Sequence, residues 1–449
     1  MDVTGHEQKV HSVATAVREY ASSRRPGEFF SLHKAAVPHL IPNPGDPKHR
    51  DRKISIFELS QVLEVDRQDR FCVAEPGVTF DALVRETLKY DLVPLIVPEL
   101  KTITVGGAVA GGAVESMSFR HGTFHDSCLE YELVTGAGQV ITCSPWKDPE
   151  IFGMVHSSFG TLGVLTRLKF RLLPAAPFVR VDYVHFPSLD ATMEAVQEHF
   201  KSRDVDFMDG VIHSPRDFVL CLGRFAAEAP YTHTYLRDIY YQSTRSRETD
   251  YLTTYDYLFR YERDGFWTSR NYGLENRLLR LLTSPFSIGS TEMLSLARRF
   301  PFLVRGSSEV AADAMIPIEK MKVFFGWYLE MFNYFPLWIL PLRMERPYPW
   351  INPDFMGTIT DPLHIECGVY GFRHDGRKNY YRLLEEQVFE LKGVKALISY
   401  NYYSESAFWK IFDKKRYQSV KETTDPQNLF RDVYQKTCLN VADGAPEKA

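Results

Sequence analysis

The chain has 449 residues, with 53 Lys and Arg against 57 Asp and Glu, which leaves a formal charge of −4. Hydrophobic residues make up 44% and charged residues 24%, so the composition excludes a disordered chain and predicts two or three folded domains. Without a basic excess, the protein is not expected to bind nucleic acid. The aromatic content of 14% is unusual and fits either thick cores or a pocket for a bulky apolar ligand.

The cysteines and the N-terminal stretch indicate the compartment. Six cysteines are spread singly without zinc spacing, which predicts buried thiols, a reducing compartment and no metal site. The N-terminus lacks the apolar core of a signal peptide and predicts an amphipathic helix instead, with a stripe of Val10, Val13, Val17 and Tyr20. Residues 324–342 are apolar but contain Glu, Asn and Pro, so they predict a helix and then a strand, not a membrane span. We expect a cytoplasmic protein, with peripheral membrane contact and oligomeric state left open.

The first part of the sequence, to about residue 174, alternates short β-rich runs with Gly and Pro. Strands are predicted at residues 54–57, 62–65, 71–74, 129–135, 139–143 and 163–172. The glycines of residues 135–139 predict a hairpin turn, and residues 79–90 predict a helix. Because regular βαβ units are missing, the pattern favours an α+β domain over a doubly wound sheet.

After the proline-rich residues 172–178, longer helical stretches alternate with strands, and this change in pattern predicts a second α+β domain. Helices are predicted at residues 189–203, 276–282, 291–299, 317–333 and 378–391. Strands are predicted at residues 207–213, 218–225, 337–340, 363–369 and 396–400. Eight tyrosines lie within residues 231–261, and we interpret them as half-buried rings on an amphipathic helical surface. The alternative is one wall of a ligand pocket.

Two glycine-rich stretches have the composition of loops that lie against a ligand. The first spans residues 104–122 and lacks the Lys-Ser/Thr of a Walker A loop, and no Rossmann fingerprint is present elsewhere. The second spans residues 156–172, where two glycines precede a predicted strand. Glycine permits close backbone approach to phosphate groups, although tight packing of small residues is the alternative explanation.

The order of these pieces resembles the PCMH-type FAD-binding domain of the vanillyl-alcohol-oxidase superfamily, and within it the delta(24)-sterol reductase family. Matching segments span nearly the whole sequence, at residues 6–20, 63–66, 97–107, 115–116, 131–134, 160–163, 266–267, 315–317, 370–371 and 408–413. Two departures are His121, where the family usually has Tyr, and Glu366, where it usually has Asp. The sequence also begins at the family's first helix, without the hydrophobic anchor of the membrane enzymes.

The resemblance implies an α+β fold with two domains. It places an FAD-binding PCMH-type domain at residues 1–175, an α+β substrate (cap) domain at 176–415, and a C-terminal segment at 416–449 that returns to the FAD domain. Residues 31–37 fall at the superfamily's first pyrophosphate loop, here without glycine. The implied FAD contacts are His33, Thr104, Val105, Gly106, Gly107, Gly111, Gly112, Glu115, Ser116, His121, Gly122, Gly160, Thr161, Gly163 and Val164. His33 lacks the Gly-Gly-His context of covalently linked relatives, so the resemblance implies non-covalent FAD.

The implied reaction is the NADPH-driven reduction, through FAD, of an isolated carbon–carbon double bond in the tail of a sterol or similar apolar lipid. An unactivated alkene accepts hydride poorly, so the reaction needs an acid beside it and aromatic faces that tolerate positive charge. The implied catalytic candidates are Glu366, Tyr402 and Tyr403, with Tyr370 and Asn401 as further candidates.

Each catalytic candidate has a purely structural alternative, and other functions are open for the protein as a whole. Glu366 would otherwise be a surface or salt-bridged carboxylate, and the tyrosines ordinary core residues. We interpret His364 and His374 as surface groups. The other functions left open are an FAD-dependent oxidase or dehydrogenase acting on another substrate, and a non-catalytic lipid-binding protein on this fold.

Overall fold

The fold is a mixture of helices and mainly antiparallel sheets, seen in a computed structural model that describes residues 3–34, 46–235, 238–272, 275, 309–344 and 348–439. The helices are α1 (Val3–Ser23), α2 (Phe80–Thr87), α3 (Val105–Gly111), α4 (Ser118–His121), α5 (Pro149–Val155), α6 (Leu189–Ser202), α7 (Tyr240–Ser243), α8 (Thr254–Leu258), α9 (Met321–Met331), α10 (Pro353–Met356), α11 (Tyr380–Glu390), α12 (Glu405–Ile411), α13 (Lys414–Thr424) and α14 (Val433–Thr437).

The strands group into two large sheets and one small parallel pair. They are β1 (Phe30–His33), β2 (Arg52–Ser55), β3 (Val62–Asp66), β4 (Phe71–Ala74), β5 (Leu92–Pro94), β6 (Cys128–Val134), β7 (Val140–Cys143), β8 (Val164–Pro174), β9 (Phe178–Phe186), β10 (Phe207–Ser214), β11 (Asp217–Ala226), β12 (Thr249–Thr253), β13 (Glu309–Pro317), β14 (Leu337–Arg343), β15 (Leu363–Arg373) and β16 (Val394–Lys395). The mixed α+β class predicted from the sequence is confirmed.

The first sheet follows the order β3-β4-β8-β6-β7, with β5 added to the end of β8. Its central strand β8 buries every second residue in its first part, as a strand with one covered face must. The predicted stripe of α1, from Val10 to Tyr20, is buried and packs into a core with Ile54 and Leu429. Helix α1 therefore closes one side of this half of the molecule, and the predicted amphipathic helix is confirmed.

The second sheet has eight antiparallel strands in the order β12-β9-β11-β10-β14-β15-β13-β16. One of its faces shares a core with the first sheet, and the other face packs under α6, α9 and α11. Gly368 on β15 lies opposite both Asp313 on β13 and Trp338 on β14, and Glu366 lies opposite Leu340. Because side chains alternate between faces, Asp313, Trp338 and Glu366 all lie on the face that turns towards the first sheet.

Several predicted elements match the structure closely. Residues 71–74 form β4 as predicted, the hairpin turn joins β6 to β7, and the helix and strand predicted within 324–342 are α9 and β14. Within the described ranges, no helix has both the length and the apolar character needed to cross a membrane. All six cysteines are buried and free, as predicted. The helices predicted at 276–282 and 291–299 lie outside the described residues.

Three predictions are wrong. Residues 396–400 form a turn instead of a strand, because the Asn401 side-chain amide donates to the carbonyls of Leu397 (3.2 Å) and Ser399 (2.8 Å) and curls the backbone. The tyrosine-rich residues 231–261 contain α7, β12 and α8 with several fully buried rings, so they are not a helical surface. His364 is buried on β15, and burial lowers its pKa to about 4.

Candidate active site

The first glycine loop is fixed by hydrogen bonds of its own backbone. Thr104 caps α3, since its side-chain oxygen accepts a hydrogen bond from the Gly107 N–H at 3.2 Å. The N–H groups of Val105 and Gly106 donate to the carbonyls of Val78 (2.9 Å) and Pro76 (3.0 Å). Thr104 and Val105 therefore shape the loop and anchor it on the turn that follows β4.

Three of the predicted cofactor glycines are required by packing within the protein. A Cβ added at Gly106 would lie 2.6 Å from Pro76, and one at Gly163 would lie 2.8 Å from the Leu133 side chain. At Gly122 an added Cβ would collide with the Asp126 carboxylate. These positions exclude a side chain whether or not a ligand is bound.

Three other glycines present open backbone. At Gly111 the nearest atom to an added Cβ is Ile398 Cγ2 at 3.8 Å, and at Gly160 it is Lys436 Nζ at 4.0 Å. At Gly107 an added Cβ would lie 3.1 Å from the capping Thr104 hydroxyl and 3.8 Å from Lys34 Nζ. A flat cofactor that carries phosphate groups needs a surface of this kind, because exposed backbone without a Cβ allows the cofactor to approach closely. The residues present therefore fit FAD.

The second glycine loop lies directly against the first. The N–H groups of Ser157 and Phe159 donate to the carbonyls of Val109 (3.1 Å) and Ala110 (3.0 Å) in α3. Gly112, which ends α3 with φ of 73°, would bring a Cβ within 2.8 Å of the Ser157 hydroxyl. The structure thus brings the two predicted loops together into one surface, which we call the glycine cradle (residues 104–112 and 157–163).

Other predicted FAD contacts are occupied by protein partners. Thr161 accepts a hydrogen bond from Tyr417 Oη (2.7 Å), and Val164 is buried in the core under α1. His33 is exposed on β1 with its ring against Phe57. Residues 35–37 of the predicted first pyrophosphate loop lie outside the described residues.

His121 is half-buried at the end of α4. Burial, together with the nearby Arg120, Arg203 and Arg343 guanidinium groups, lowers the pKa of His121 to about 4. Its imidazole is therefore neutral at physiological pH and can both donate and accept a hydrogen bond.

A buried ionic cluster joins the glycine cradle to the second sheet. Arg260 is enclosed and lies 3.1 Å from Glu99, 3.0 Å from Glu115 and 3.1 Å from Asp209. Glu115 follows the first glycine loop and accepts a hydrogen bond from the Ser116 hydroxyl. Asp209 belongs to β10. Burial raises the pKa of Glu99 and Asp209, because one guanidinium cannot compensate three desolvated carboxylates. Glu115, predicted to contact FAD, thus has Arg260 as its partner.

Glu366 differs from every other carboxyl on this face. It is 6% exposed, and within the described part of the protein it makes no hydrogen bond or ion pair. Burial and the neighbouring Asp313 carboxyl raise the pKa of Glu366 well above its ordinary value. A surface or salt-bridged carboxylate is excluded by this placement, and the raised pKa favours the protonated form of the Glu366 carboxyl.

Asp313 and Tyr370 support Glu366 from the same face of the sheet. The Tyr370 hydroxyl donates to Asp313, and its ring fills the space that Gly368 leaves above the sheet. Burial raises the pKa of Asp313 to about 6 against the opposing effects of Tyr370 and Lys395. Tilted aromatic rings continue from there, with the Phe266 ring centroid 4.6 Å from that of Tyr370 and 5.0 Å from that of Trp338.

The remaining catalytic candidates lie apart from this group. Tyr402 packs against Tyr381 in the core on the opposite face of the second sheet. Tyr403 is buried on the same side as Glu366, with its ring near Phe408. Asn401 holds the turn before them. Of the predicted set, the structure therefore brings Glu366 and Tyr370 together.

Sequence reasoning missed Arg260, Asp209 and Asp313. The available signal was an acidic residue inside an apolar strand, as in the FMDGVI sequence around Asp209 and the AADAMIP sequence around Asp313. A carboxyl in such a run is buried and must find a partner or keep its proton.

Known proteins are similar to this chain both in the FAD domain and along most of its length. A model of the FAD binding domain matches residues 45–144. The Delta(24)-sterol reductase of Homo sapiens is 25% identical over 453 aligned residues, which cover 96% of this chain and 86% of that protein. The Delta(24)-sterol reductase of Arabidopsis thaliana is 22% identical, covering 96% and 84%. Cytokinin dehydrogenase 9 of Oryza sativa subsp. japonica is 34% identical over 150 residues, covering 33% and 28%.

The glycine cradle and the matching domain define an FAD-dependent oxidoreductase. Its homology with Delta(24)-sterol reductases of animals and plants extends far beyond the cofactor domain, through the second sheet. The chain is thus similar to Delta(24)-sterol reductases along nearly its whole length, and it is an FAD-dependent oxidoreductase.

Proposed function

We propose that this protein uses NADPH, through FAD, to reduce an isolated carbon–carbon double bond in the tail of a sterol or a similar apolar lipid. The homology with Delta(24)-sterol reductases along 96% of the sequence supports the reaction class. The observation that carries the proposal is Glu366, a buried carboxyl without a protein partner among the described residues, on the sheet face turned towards the FAD domain.

Glu366 is suited to act as the acid. Burial and the Asp313 carboxyl raise the pKa of Glu366 and so favour its protonated form, and among the described residues no base accepts its proton. Transfer of that proton to one alkene carbon leaves positive charge on the other, which the nearby faces of Phe266 and Tyr370 tolerate better than an aliphatic wall would. Bound FAD, once reduced by NADPH, would supply the hydride that completes the reduction. Glu366 would regain a proton from solvent before the next turnover.

The remaining predicted contacts complete the proposed site. We assign cofactor binding to the open backbone of Gly107, Gly111 and Gly160, with His121 as a neutral hydrogen-bonding group. The other predicted FAD residues support these positions by fixing the loops. Tyr403 borders the same side of the sheet as Glu366, and Tyr402 remains a prediction without a structural argument for contact.

Separate measurement of the two half-reactions tests the proposal. Under anaerobic conditions, NADPH should bleach the bound flavin, and a sterol with an alkene in its tail should restore the flavin colour and be converted to the saturated sterol. Glu366→Gln should leave bleaching unchanged and slow reoxidation by the alkene by about 10²–10⁴-fold, the usual contribution of a general acid. Glu390→Gln, on the exposed side of α11, is the matched control.

Two results would overturn the proposal. If an alcohol or amine bleaches the flavin and NADPH does not, the protein is a dehydrogenase or oxidase of another substrate, as its partial similarity to a cytokinin dehydrogenase would allow. If Glu366→Gln is reoxidised by the alkene as fast as the unchanged protein, Glu366 is not the acid.

A further inference from the structure

Lys436 in α14 has a buried ammonium group that is paired with no carboxylate among the described residues. Its ammonium donates to the Phe159 carbonyl at 2.5 Å and lies 4.0 Å from where a Cβ of Gly160 would be. It forms no ion pair with any carboxylate in the described part of the protein. Burial and the nearby Lys48 and Lys421 lower the pKa of Lys436 to about 8.

The two carboxylates that act on the Lys436 ammonium, Asp46 and Asp51, already have cationic partners. Asp46 lies 2.6 Å from Lys48. The neighbouring Asp51 is paired with Arg431. A desolvated ammonium that lies near two other cations, and whose neighbouring carboxylates are paired elsewhere, is unfavourable unless a further anion joins it.

A backbone donor lies beside this ammonium. Gly160 adopts a φ of 69°, and its N–H donates to no group within the described ranges. Ser157 and Phe159 also have positive φ, of 53° and 54°, although both carry side chains. Such conformations cost free energy, and here they direct the Ser157 and Phe159 N–H groups to carbonyls of α3 while the adjacent Gly160 N–H is left for a ligand.

We propose that Lys436 and the Gly160 N–H bind the diphosphate of FAD, so that the C-terminal segment completes the cofactor site. Lys436 lies far outside the FAD domain matched at residues 45–144. A phosphate could also belong to NADPH, but the Phe159–Gly160 backbone is hydrogen-bonded directly to α3 of the glycine cradle. FAD is therefore the source that the geometry favours. The inference rests on FAD binding and is independent of the substrate that is reduced.

Titrations of the full-length protein after removal of flavin test this assignment. Lys436→Gln should weaken FAD and ADP binding at least about tenfold and leave riboflavin, which has no phosphate, unchanged. Lys436→Arg should keep most of the FAD affinity, because it retains the charge. Lys415→Gln, on the exposed side of α13, is the matched control and should bind all three ligands normally.

Each other result overturns the proposal. Unchanged FAD affinity in Lys436→Gln would mean that Lys436 does not contact the diphosphate. An equal loss of riboflavin and FAD binding would assign Lys436 a structural role in the loop. Loss of NADP⁺ binding with normal FAD binding would assign the lysine to the other dinucleotide. None of these measurements involves a sterol, so they stand apart from the test of the proposed function.

Discussion

His6 in α1 forms ion pairs that connect the N-terminal helix to the first glycine loop, and replacing it tests how this helix supports the loop. Its Nδ1 lies 2.9 Å from Glu75 and its Nε2 lies 3.0 Å from Glu132, so both ring nitrogens donate and the ring is charged. Burial alone would lower the pKa of His6, but the hydrogen bonds to Glu132 and Glu75 outweigh it and raise the pKa to about 9. Glu75 precedes Pro76, whose carbonyl accepts a hydrogen bond from the Gly106 N–H. The cluster thereby ties α1 to the base of the glycine cradle.

The magnitude and the pH window follow from the two pKa values. A rise from 6.5 in the unfolded protein to about 9 in the folded one, at about 1.4 kcal/mol per pH unit, corresponds to about 3 kcal/mol of stability. Because the folded pKa is raised, this contribution is complete below pH 6.5 and is lost as the pH rises towards 9. His6→Gln should therefore be less stable than the unchanged protein by about 3 kcal/mol just below pH 6.5, where Glu75 and Glu132 are still ionised, and the gap should close as the pH rises towards 9.

Urea unfolding at a series of pH values, followed by circular dichroism, measures this gap. The difference in free energy of unfolding between the two proteins removes the contribution of groups that titrate alike in both. His11→Gln, on the exposed side of the same helix, is the control and should follow the unchanged protein. A gap that stays constant between pH 6.5 and 9 would show that His6 is not charged in the folded state, and would refute the reasoning.

Two further predictions concern the buried carboxyls. Asp313→Asn removes the negative neighbour of Glu366, so the pKa of Glu366 should fall and alkene reduction should be lost at a lower pH than in the unchanged protein; an identical pH profile would contradict this coupling. Arg260→Met leaves three carboxyls without their cation and should lower the free energy of unfolding by about 3–5 kcal/mol in urea, whereas a loss below about 1 kcal/mol would show that they are held by other groups.

The sequence predicted the elements better than the site because the two depend on contacts of different range. Periodicity within α1 and alternation along β8 are local, and glycine spacing located both cradle loops. The resemblance drew attention to Glu366. The turn at residues 396–400 was mispredicted because the side chain of Asn401 decides it, against an apolar pattern.

Contacts that join distant segments could not be predicted from the sequence. Arg260 meets Glu115 across 145 positions, and Lys436 meets Phe159 across 277. No local pattern contains such pairs, because they arise only when distant segments pack together in the folded protein. The sequence shows which charged residues interrupt apolar runs, but their partners are set by tertiary structure.

A comparison with two other carboxyls on the inner face of the second sheet shows why Glu366 is distinguished. Asp209 is fixed by Arg260 and receives hydrogen bonds from Tyr261 (2.9 Å) and Trp338 (3.1 Å). Asp313 accepts a hydrogen bond from the Tyr370 hydroxyl. Charge on either group is thus stabilised by a donor.

Glu366, by contrast, has no donor within the described part of the protein, and its negative neighbour Asp313 disfavours its ionisation further. A buried carboxyl in this position destabilises the fold unless it keeps its proton, and no structural partner offsets that cost. A group that keeps a proton in a dry, aromatic-lined region and shares it with no base is what proton delivery to an apolar alkene requires. The same isolation that makes Glu366 a poor structural residue therefore makes it the strongest candidate for the acid.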